Sequence, residues 1–390
     1  MSKNTFKKNE YKQISIPLSK DISEENILNL TALLNNDLTR STMIAEYDKS
    51  KDEISVYLQS VDLEELTNIQ SKIENEHINY YLEKIIKNVD SIGSYGIKDG
   101  KRIFVGFNRE RKVKNRKQKE KQRTKYFYAL DNNFSKKNNE LSDEYINKII
   151  CGDSESILRE LPDNCIDLVF TSPPYNFGLD YDNHEDQSYW ENYFEKLFRV
   201  FDETIRVLKF GGRLIINIQP LFSDYIPSHH IISNYLMEKK LIWKGEVLWE
   251  KNNYNCKYTA WGSWKSPSSP YLKYTWEYIE IFMKGTLTKK GVRDNIDITA
   301  DEFKEWVIAK WSVAPERKMK KFGHPAMFPE ELARRAIKLF SYQGDIILDP
   351  FAGVGTTCLV AKKHQRRYLG IDISKEYCDV ANNRINEILL

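Results

Sequence analysis

The sequence of 390 residues has few cysteines, no long apolar run and almost no net charge. Its five cysteines lie far apart and form no C-x-x-C pair, which argues against a disulfide framework and against a cysteine zinc site. No apolar run approaches the roughly 18 residues of a membrane-spanning helix, and the polar N-terminus lacks the apolar segment of a secretory signal. Lys and Arg number 59 against 56 Asp and Glu, a difference of +3, so the overall charge indicates no particular partner.

The composition does support a sizeable folded core. Hydrophobic residues make up 41% of the chain and aromatic residues 13%, which excludes wholesale disorder. The length suggests two domains, or one large domain with insertions. We therefore expect a soluble, cytoplasmic protein of the α/β class.

Residues 1–140 differ in composition from the rest and are rich in Lys, Asn and Glu. Apolar residues recur at helical spacing around 23–36 and 61–88, which predicts a helical N-terminal region of unknown role. Within it, residues 109–125 carry ten basic and two acidic side chains, a local charge of +8. Two interpretations stay open: 109–141 is a solvated linker or arm without a ligand, or its basic part contacts DNA phosphates and gains from counterion release.

From residue 146 to 390, apolar runs alternate with helical patterns. Four helices are predicted, at 187–209, 328–341, 355–364 and 374–388. Short apolar runs between them predict strands at 166–170, 212–218, 241–249, 278–285, 345–349 and 367–372. Strands that alternate with helices indicate a doubly wound, mostly parallel sheet.

The first chemical motif is DPFAGVGTT, residues 349–357, which directly follows a predicted strand. Gly353 and Gly355 allow a sharp turn and a close approach of the main chain to a ligand. Asp372 ends the next strand, seventeen residues after Gly355, where a carboxylate can accept hydrogen bonds from ribose hydroxyls. A P-loop would need a lysine after the glycines, and a dinucleotide fingerprint would need a third glycine where Cys358 stands.

The second motif is TSPPYN, residues 171–176, which directly follows the strand at 166–170. The amine of a nucleobase is a poor nucleophile because its lone pair is delocalised into the ring. Acceptors aimed at its two N–H bonds draw the nitrogen toward tetrahedral geometry. The Pro173–Pro174 pair removes main-chain donors and fixes a carbonyl, while Ser172 Oγ offers a second acceptor and Tyr175 a flat face for an extruded base.

Together these motifs make residues 147–390 resemble the S-adenosylmethionine-dependent DNA amino-methyltransferases. The order, with SPPY first and the glycine loop last, is similar to that of their beta class. The segment 259–285 (TAWGSWKSPSSPYLKYTWEYIEIFMKG) resembles one found in members that methylate cytosine N4. The segment from WSVAPERKM to LARRAI resembles the one that precedes the cofactor loop. The resemblance implies a sheet of the seven-stranded methyltransferase type with a target-recognition insertion, and S-adenosylmethionine as cofactor.

The resemblance also assigns roles to individual residues. In the amine loop, Ser172 and the Pro173 carbonyl would accept from the target amine, Pro174 would shape the loop, and Tyr175 would stack on the flipped base. On the cofactor side, the adenine amine would go to Asp153 and the ribose hydroxyls to Asp372. The methionine part would be lined by Phe351, Gly353, Gly355 and Thr356, with Asp349 at the loop entrance.

The choice of target base rests on fewer residues than the reaction class. Cytosine-C5 methylation is excluded because it needs a cysteine after a proline, and no cysteine here follows one. Ser172 at the first position of the loop and the Trp-rich segment favour cytosine N4, and adenine N6 is the alternative. A more remote alternative is an RNA or protein amine methyltransferase, which usually has Asn first and its cofactor loop upstream.

A target-recognition region is expected at about 219–310. There, tryptophans interleave with lysines in a way that suits a DNA-facing surface, although each tryptophan is as easily a core residue. The residues are Trp243, Trp249, Trp261, Trp264, Trp276, Lys251, Lys257, Lys265 and Lys273. The expected partners are double-stranded DNA and, as the resemblance implies, a restriction endonuclease of the same site. His229, His230 and His324 have no metal-ligand spacing, and no metal is predicted.

Overall fold

The structure is a computed structural model, which describes residues 11–19, 22–104, 127–130, 133–174, 189–219, 225–252, 262–272, 274–317, 319–324 and 326–388. The chain divides into two compact units, one formed by 1–119 with 300–305 and the other by 120–299 with 306–390. None of the helices in the described ranges has the length and apolar character needed to cross a membrane. The basic stretch 109–125 and Tyr175 lie outside the described residues.

The first unit is built on an antiparallel sheet. The described strands of this unit are β1 (Lys12–Pro17), β2 (Thr42–Asp48), β3 (Glu53–Val61), β4 (Gly96–Lys98) and β5 (Lys101–Ile103). Its helices are α1 (Glu24–Ala32), α2 (Leu63–Gln70) and α3 (Glu76–Ser91). Strand β3 pairs with β1, β2 and β5, and its residues Ile54, Val56 and Leu58 are fully buried in the core that the helices cover.

The sequence predicted helices in this region but not the sheet. The stretch predicted at 61–88 is two helices, because Asp62 accepts from the main-chain N–H of Glu65 at 3.2 Å and Asn75 accepts from Ile78 N at 3.1 Å. Each side chain caps a new helix start. The N-terminal region is therefore a mixed α/β unit. Apolar residues do alternate along β3, at Ile54, Val56 and Leu58, but the prediction rested on the helical spacing of neighbouring stretches alone.

One short segment of the first unit comes from far along the chain. Residues 300–305 belong to α7 (Ala300–Trp306). Asp301 accepts from the Tyr95 hydroxyl at 2.5 Å and from Arg102 Nη2 at 3.4 Å. The Arg102 side chain, only 8% exposed, also donates to Asp90 at 2.9 Å. These polar contacts hold the distant segment in the first unit.

The second unit contains a larger, mostly parallel sheet. In the described residues its strand order is β11-β9-β10-β8-β7-β12-β13-β6. Strand β10 is antiparallel to both of its neighbours, and the other pairings are parallel. The bounds are β6 Lys148–Cys151, β7 Ile166–Thr171, β8 Leu208–Ile218, β9 Ile242–Glu250, β10 Trp276–Met283, β11 Lys310–Ser312, β12 Ile346–Asp349 and β13 Arg367–Asp372.

Helices cover the sheet on both faces. They are α4 (Ser154–Glu160), α5 (Trp190–Val207), α6 (Ser228–Glu238), α8 (Glu330–Phe340), α9 (Thr356–Lys363) and α10 (Lys375–Asn386). Along β7, Val169 joins one buried cluster with Phe201 of α5, whereas Leu168 joins a second with Ile337 of α8. Successive residues of a strand point to opposite faces, so two helical layers are required and the predicted doubly wound fold is confirmed.

The structure also extends and corrects the sequence predictions. All six strands predicted from residue 146 onward are present, and β6, β11, α4, α6 and α7 are additional. The stretch 109–141 was predicted as a solvated linker or arm, but its last residues are part of the folded second unit. Phe134 and Leu141 pack against the core of the second unit, and Asn139 N donates to Asn164 O at 2.9 Å.

Candidate active site

Both sequence motifs lie at the carboxyl edge of the large sheet. The parallel strands β6, β13, β12, β7 and β8 all end there. Asp372 is in register with Cys151, and Asp349 with Gly370. Ligands of doubly wound sheets bind outside this edge, so the fold brings the glycine loop and the SPPY loop to the expected place.

The glycine loop turns through two residues with left-handed main-chain angles. Gly353 has φ +50° and Gly355 has φ +77°, a region that side-chain-bearing residues rarely adopt. A Cβ on Gly355 would lie 2.7 Å from the Cβ of Ala381, and one on Gly353 would lie 2.7 Å from His324 Nε2. The loop therefore needs glycine at both positions, for its main-chain shape and for the close packing behind it.

Asp372 holds this loop in place. Its carboxylate accepts from Gly353 N at 2.7 Å and from Ser374 N at 2.9 Å. The sequence predicted a contact with ribose hydroxyls, and the structure adds a role in shaping the loop. A carboxylate has about four acceptor sites, so it can serve both roles.

Asp349 is buried behind the loop, at 1% exposure. Its carboxylate accepts from the hydroxyls of Thr171 and Thr357, each at 2.7 Å, and from Phe351 N at 3.1 Å. Burial raises its pKa to about 6, against the hydrogen bonds, which lower it. Sequence reasoning placed Asp349 at the loop entrance. The structure makes it the link between the two motifs, because Thr171 directly precedes Ser172.

The remaining cofactor-side residues lie around this loop. Asp153 caps α4 by accepting from Ser156 N at 2.9 Å. The next residue, Ser154, donates to Pro350 O at 2.5 Å and so ties the end of β6 to the glycine loop. The Thr356 hydroxyl is buried and accepts from Arg384 at 3.3 Å.

The amine loop is fixed by different contacts. The Ser172 hydroxyl donates to Asn217 O, near the end of β8, at 3.0 Å. Since a hydroxyl has one hydrogen, any further hydrogen bond of this oxygen must be accepted. Pro173 is buried, and the Pro174 carbonyl accepts from the Tyr193 hydroxyl at 2.6 Å. Tyr193 was not predicted as a site residue. Because its hydroxyl occupies the Pro174 carbonyl, the Pro173 carbonyl stays the predicted second acceptor beside Ser172 Oγ.

A group of buried polar residues continues from Ser172 into the sheet. Asn217 Nδ2 donates to Glu277 Oε2 at 2.5 Å, and Lys251 Nζ pairs with Glu277 Oε1 at 2.5 Å. Asn217 is 1% exposed and Glu277 is 5% exposed. The sequence signal was a polar residue inside or beside an apolar strand, which is unusual for a core position.

Much of the expected target-recognition region forms the sheet itself, through β9 and β10. Trp249 is buried and donates to Val313 O at 2.8 Å, so it is a core residue. Trp264 lies in the described segment 262–272 and is 65% exposed, with Lys265 Nζ 5.5 Å from its ring centre. Trp261, Lys257 and Lys273 lie outside the described residues. Because Trp264 and Lys265 are exposed, a DNA-facing surface stays a prediction for the segment 262–272.

The chemistry of the site suits S-adenosylmethionine. Its ribose hydroxyls and adenine amine are donors, and Asp372 and Asp153 present carboxylates at neighbouring strand ends. Gly353 and Gly355 allow close approach of the main chain. The residues present therefore fit a nucleoside cofactor bearing a methyl group, beside a loop that offers hydrogen-bond acceptors.

Comparisons with known proteins identify the family of the chain. Residues 166–383, more than half of the chain, match the model of the N6/N4 methyltransferase family, described as DNA methylase. The chain belongs to this family. It is a DNA methyltransferase, and S-adenosylmethionine is its methyl donor.

Several relatives are similar over about three fifths of the chain. M.MjaI of Methanocaldococcus jannaschii, a Type II methyltransferase, is 29% identical over 280 residues, covering 61% of this chain and 90% of its own. M.HpaI of Haemophilus parainfluenzae, also a Type II methyltransferase, is 28% identical over 240 residues, covering 61% and 74%. The crystal structure of TTHA0409 from Thermus thermophilus, complexed with S-adenosyl-L-methionine, is 26% identical with a TM-score of 0.49, covering 62% and 97%.

Proposed function

We propose that this DNA methyltransferase transfers a methyl group to the exocyclic N4 amine of cytosine in a specific sequence of double-stranded DNA. The observation that carries the proposal is the hydrogen bond from Ser172 Oγ to Asn217 O, at 3.0 Å. It commits the hydroxyl hydrogen to the protein and turns the oxygen into an acceptor for an amine N–H. Ser at this position and the Trp-rich segment favour cytosine over adenine.

The amine loop prepares the nucleophile. Ser172 Oγ and the Pro173 carbonyl accept from the two N–H bonds of the target amine, which draws its lone pair out of the ring system. Tyr193 fixes the loop by donating to the Pro174 carbonyl at 2.6 Å. Tyr175 stacks on the flipped base. No covalent intermediate is needed, and catalysis consists of orientation and preorganised hydrogen bonding.

The cofactor-side residues bind S-adenosylmethionine and orient it toward the target amine. Asp372 accepts from the ribose hydroxyls and Asp153 from the adenine amine. Phe351, Gly353, Gly355 and Thr356 line the methionine part. When bound, S-adenosylmethionine would supply the methyl group by breaking the carbon–sulfur bond of its sulfonium as the bond to the amine nitrogen forms, and the methylated amine would release one proton to water. Asp349 ties the two loops together through Thr171 and Thr357, so the donor and acceptor sites keep a constant separation.

The biological setting follows from the relatives. M.MjaI and M.HpaI are Type II methyltransferases, and we extend that role to this chain as the modification half of a restriction–modification pair. DNA methylated by the protein is expected to resist a partner endonuclease that cuts the same sequence. The exposed surface around Trp264 and the basic stretch 109–125 are candidates for DNA contact.

The decisive experiment identifies the methylated nucleoside. Unmethylated DNA is incubated with the protein and S-adenosylmethionine, digested to nucleosides and analysed by mass spectrometry, with Ser172→Ala as control. We expect N4-methyldeoxycytidine from the wild type and at most about a tenth of it, at equal times, from the variant. N6-methyldeoxyadenosine would establish the adenine alternative, and transfer to RNA but not DNA would overturn the proposal. Single-molecule sequencing of the same DNA gives the recognition sequence.

A further inference from the structure

A continuous series of polar contacts runs from the amine loop to the far side of β10. Ser172 contacts Asn217, whose side chain donates to Glu277, which pairs with Lys251. Lys251 Nζ also donates to Gln219 Oε1 at 3.4 Å. These residues come from the ends of β8, β9 and β10, three adjacent strands of the sheet.

Burying these polar groups costs free energy of folding, so we expect them to have a role other than stability. Glu277 is 5% exposed, and its two oxygens are occupied by one amide and one ammonium group. Burying a carboxylate and its partner removes hydration that the ion pair only partly replaces, and an apolar pair is often as stable. The pair lies one side chain away from Ser172. Glu280, also buried at 3% exposure, lies in the middle of the same strand and accepts from Trp243 Nε1 at 3.1 Å instead.

The orientation of Asn217 depends on Glu277. The amide Nδ2 donates to the carboxylate at 2.5 Å and lies 3.5 Å from Ser172 Oγ. An unpaired amide could rotate by half a turn and present its oxygen to Ser172, where the hydroxyl would donate to it. The hydroxyl hydrogen would then leave Asn217 O, and the oxygen lone pairs would face a new direction.

We propose that Glu277, held by Lys251, is a positioning residue that acts through Asn217 to aim the Ser172 oxygen at the target amine. This inference rests on the proposed function of Ser172. Because Lys251 compensates the charge of Glu277, the role is orientation and not attraction of positive charge. Neither residue touches the base or the cofactor in this scheme.

The first test is Glu277→Gln. The new amide cannot accept from both Asn217 and Lys251, because one of its ends is a donor. We expect turnover to fall roughly fivefold to fiftyfold, the loss from a misaligned acceptor being smaller than from its removal. Cofactor affinity, measured by calorimetry, should stay within twofold. Glu280→Gln is the matched control, with the same substitution on the same strand, and should leave turnover unchanged.

Two further variants separate positioning from simple damage. Adding Lys251→Met to Glu277→Gln removes the ammonium group, so the amide oxygen can turn to Asn217, and turnover should recover to within about threefold of wild type. In a Ser172→Ala background, Glu277→Gln should have no additional effect, because effects of residues that act as a unit are not additive. If Glu277→Gln does not fold, Lys251→Gln alone should give a smaller loss of turnover in the same direction.

The outcomes distinguish this inference from the proposed function. No methylation of DNA by the wild type would overturn both. Methylation by the wild type with unchanged turnover in Glu277→Gln would overturn only the positioning role. A loss that persists in the Ser172→Ala background, and that Lys251→Met does not restore, would overturn it equally.

Discussion

The two loops at the carboxyl edge of the sheet are held in contrasting ways. In the glycine loop, the Asp372 carboxylate accepts from main-chain N–H groups, and Gly353 and Gly355 give the main chain its shape. In the amine loop, side chains bond to carbonyls, as Ser172 does to Asn217 and Tyr193 to Pro174. The first loop depends on backbone conformation, and the second depends on the direction of one hydroxyl.

This contrast predicts different sensitivities. A change in the glycine loop should act on folding and cofactor affinity, since both follow from main-chain shape. A change in the amine loop should act on turnover, since in the proposed function the Ser172 hydroxyl contacts the target amine and not the cofactor. Asp349 connects the loops through Thr171 and Thr357, so a change of Asp349 should affect both cofactor affinity and turnover.

The largest effect is expected for Gly355→Ala. The left-handed main chain costs a non-glycine residue about 1–2 kcal/mol, and overpacking against Ala381 about 1–3 kcal/mol more. The free energy of unfolding should therefore fall by about 2–5 kcal/mol, with loss of cofactor affinity, as urea denaturation and calorimetry would measure. Gly344→Ala is the matched control, because its φ is +83° with nothing within 4 Å of an added Cβ. An equal loss in both variants would mean that packing in the loop is unimportant.

Among changes in the amine loop, Ser172→Ala should lower turnover the most. Removing a preorganised acceptor lowers turnover by roughly tenfold to a thousandfold, with cofactor affinity near normal. Steady-state kinetics at saturating cofactor and a binding titration separate the two. Ser341→Ala, which removes another buried hydroxyl that donates to a carbonyl, is the control and should not affect turnover. Equal losses of binding and turnover would contradict the assignment of Ser172.

Asp372→Ala should lower cofactor affinity more than turnover, the reverse of Ser172→Ala. Hydrogen bonds to a charged acceptor contribute about 1.5–3 kcal/mol, so cofactor affinity should fall by roughly tenfold to a hundredfold. Turnover at saturating cofactor should fall by less. Asp379→Ala, at an exposed carboxylate of α10, provides the control. Unchanged affinity in calorimetric titration would show that the ribose is held elsewhere.

The smallest effect is a pH dependence that comes from Asp349. Burial raises its pKa to about 6, above the value of about 3.8 in the unfolded chain. The stability from this group is fully present below about pH 4 and is lost as the pH rises through 6. Between about pH 5 and 7, the wild type should therefore lose about 1 kcal/mol relative to Asp349→Asn.

The comparison with Asp349→Asn must be made at each pH. Burial lowers the pKa of His324 to about 4, so its contribution runs the other way, being lost as the pH falls from about 6.5 through 4. This contribution cancels in the difference between the two proteins. A difference in unfolding free energy that does not vary with pH would mean that Asp349 stays charged in the fold.

The fold of the second unit was predictable because its strands are continuous apolar runs between amphipathic helices. The motif residues were predictable because each follows such a strand. Tyr193, Asn217 and Glu277 were not predicted as site residues. The roles of Asn217 and Glu277 depend on which strands become neighbours, and that of Tyr193 depends on how its helix packs beside the amine loop. The sheet of the first unit was not predicted, although Ile54, Val56 and Leu58 alternate along β3, because the helical spacing of the neighbouring stretches and the polar composition of residues 1–140 outweighed this signal. Strand neighbours and side-chain direction are tertiary properties that no local pattern contains.

The contact of Asp301 with Tyr95 and Arg102 has a consequence for any attempt to dissect the protein. The first unit is discontinuous in sequence, because 300–305 reach it only after the chain has built most of the larger sheet. One proteolytic cut near residue 119 would leave one helix of the first unit on the wrong fragment. The N-terminal fragment would lack part of its unit, and the C-terminal fragment would contain the whole second unit but expose Asp301 without its partners. A clean dissection would have to replace α7 together with the first 119 residues.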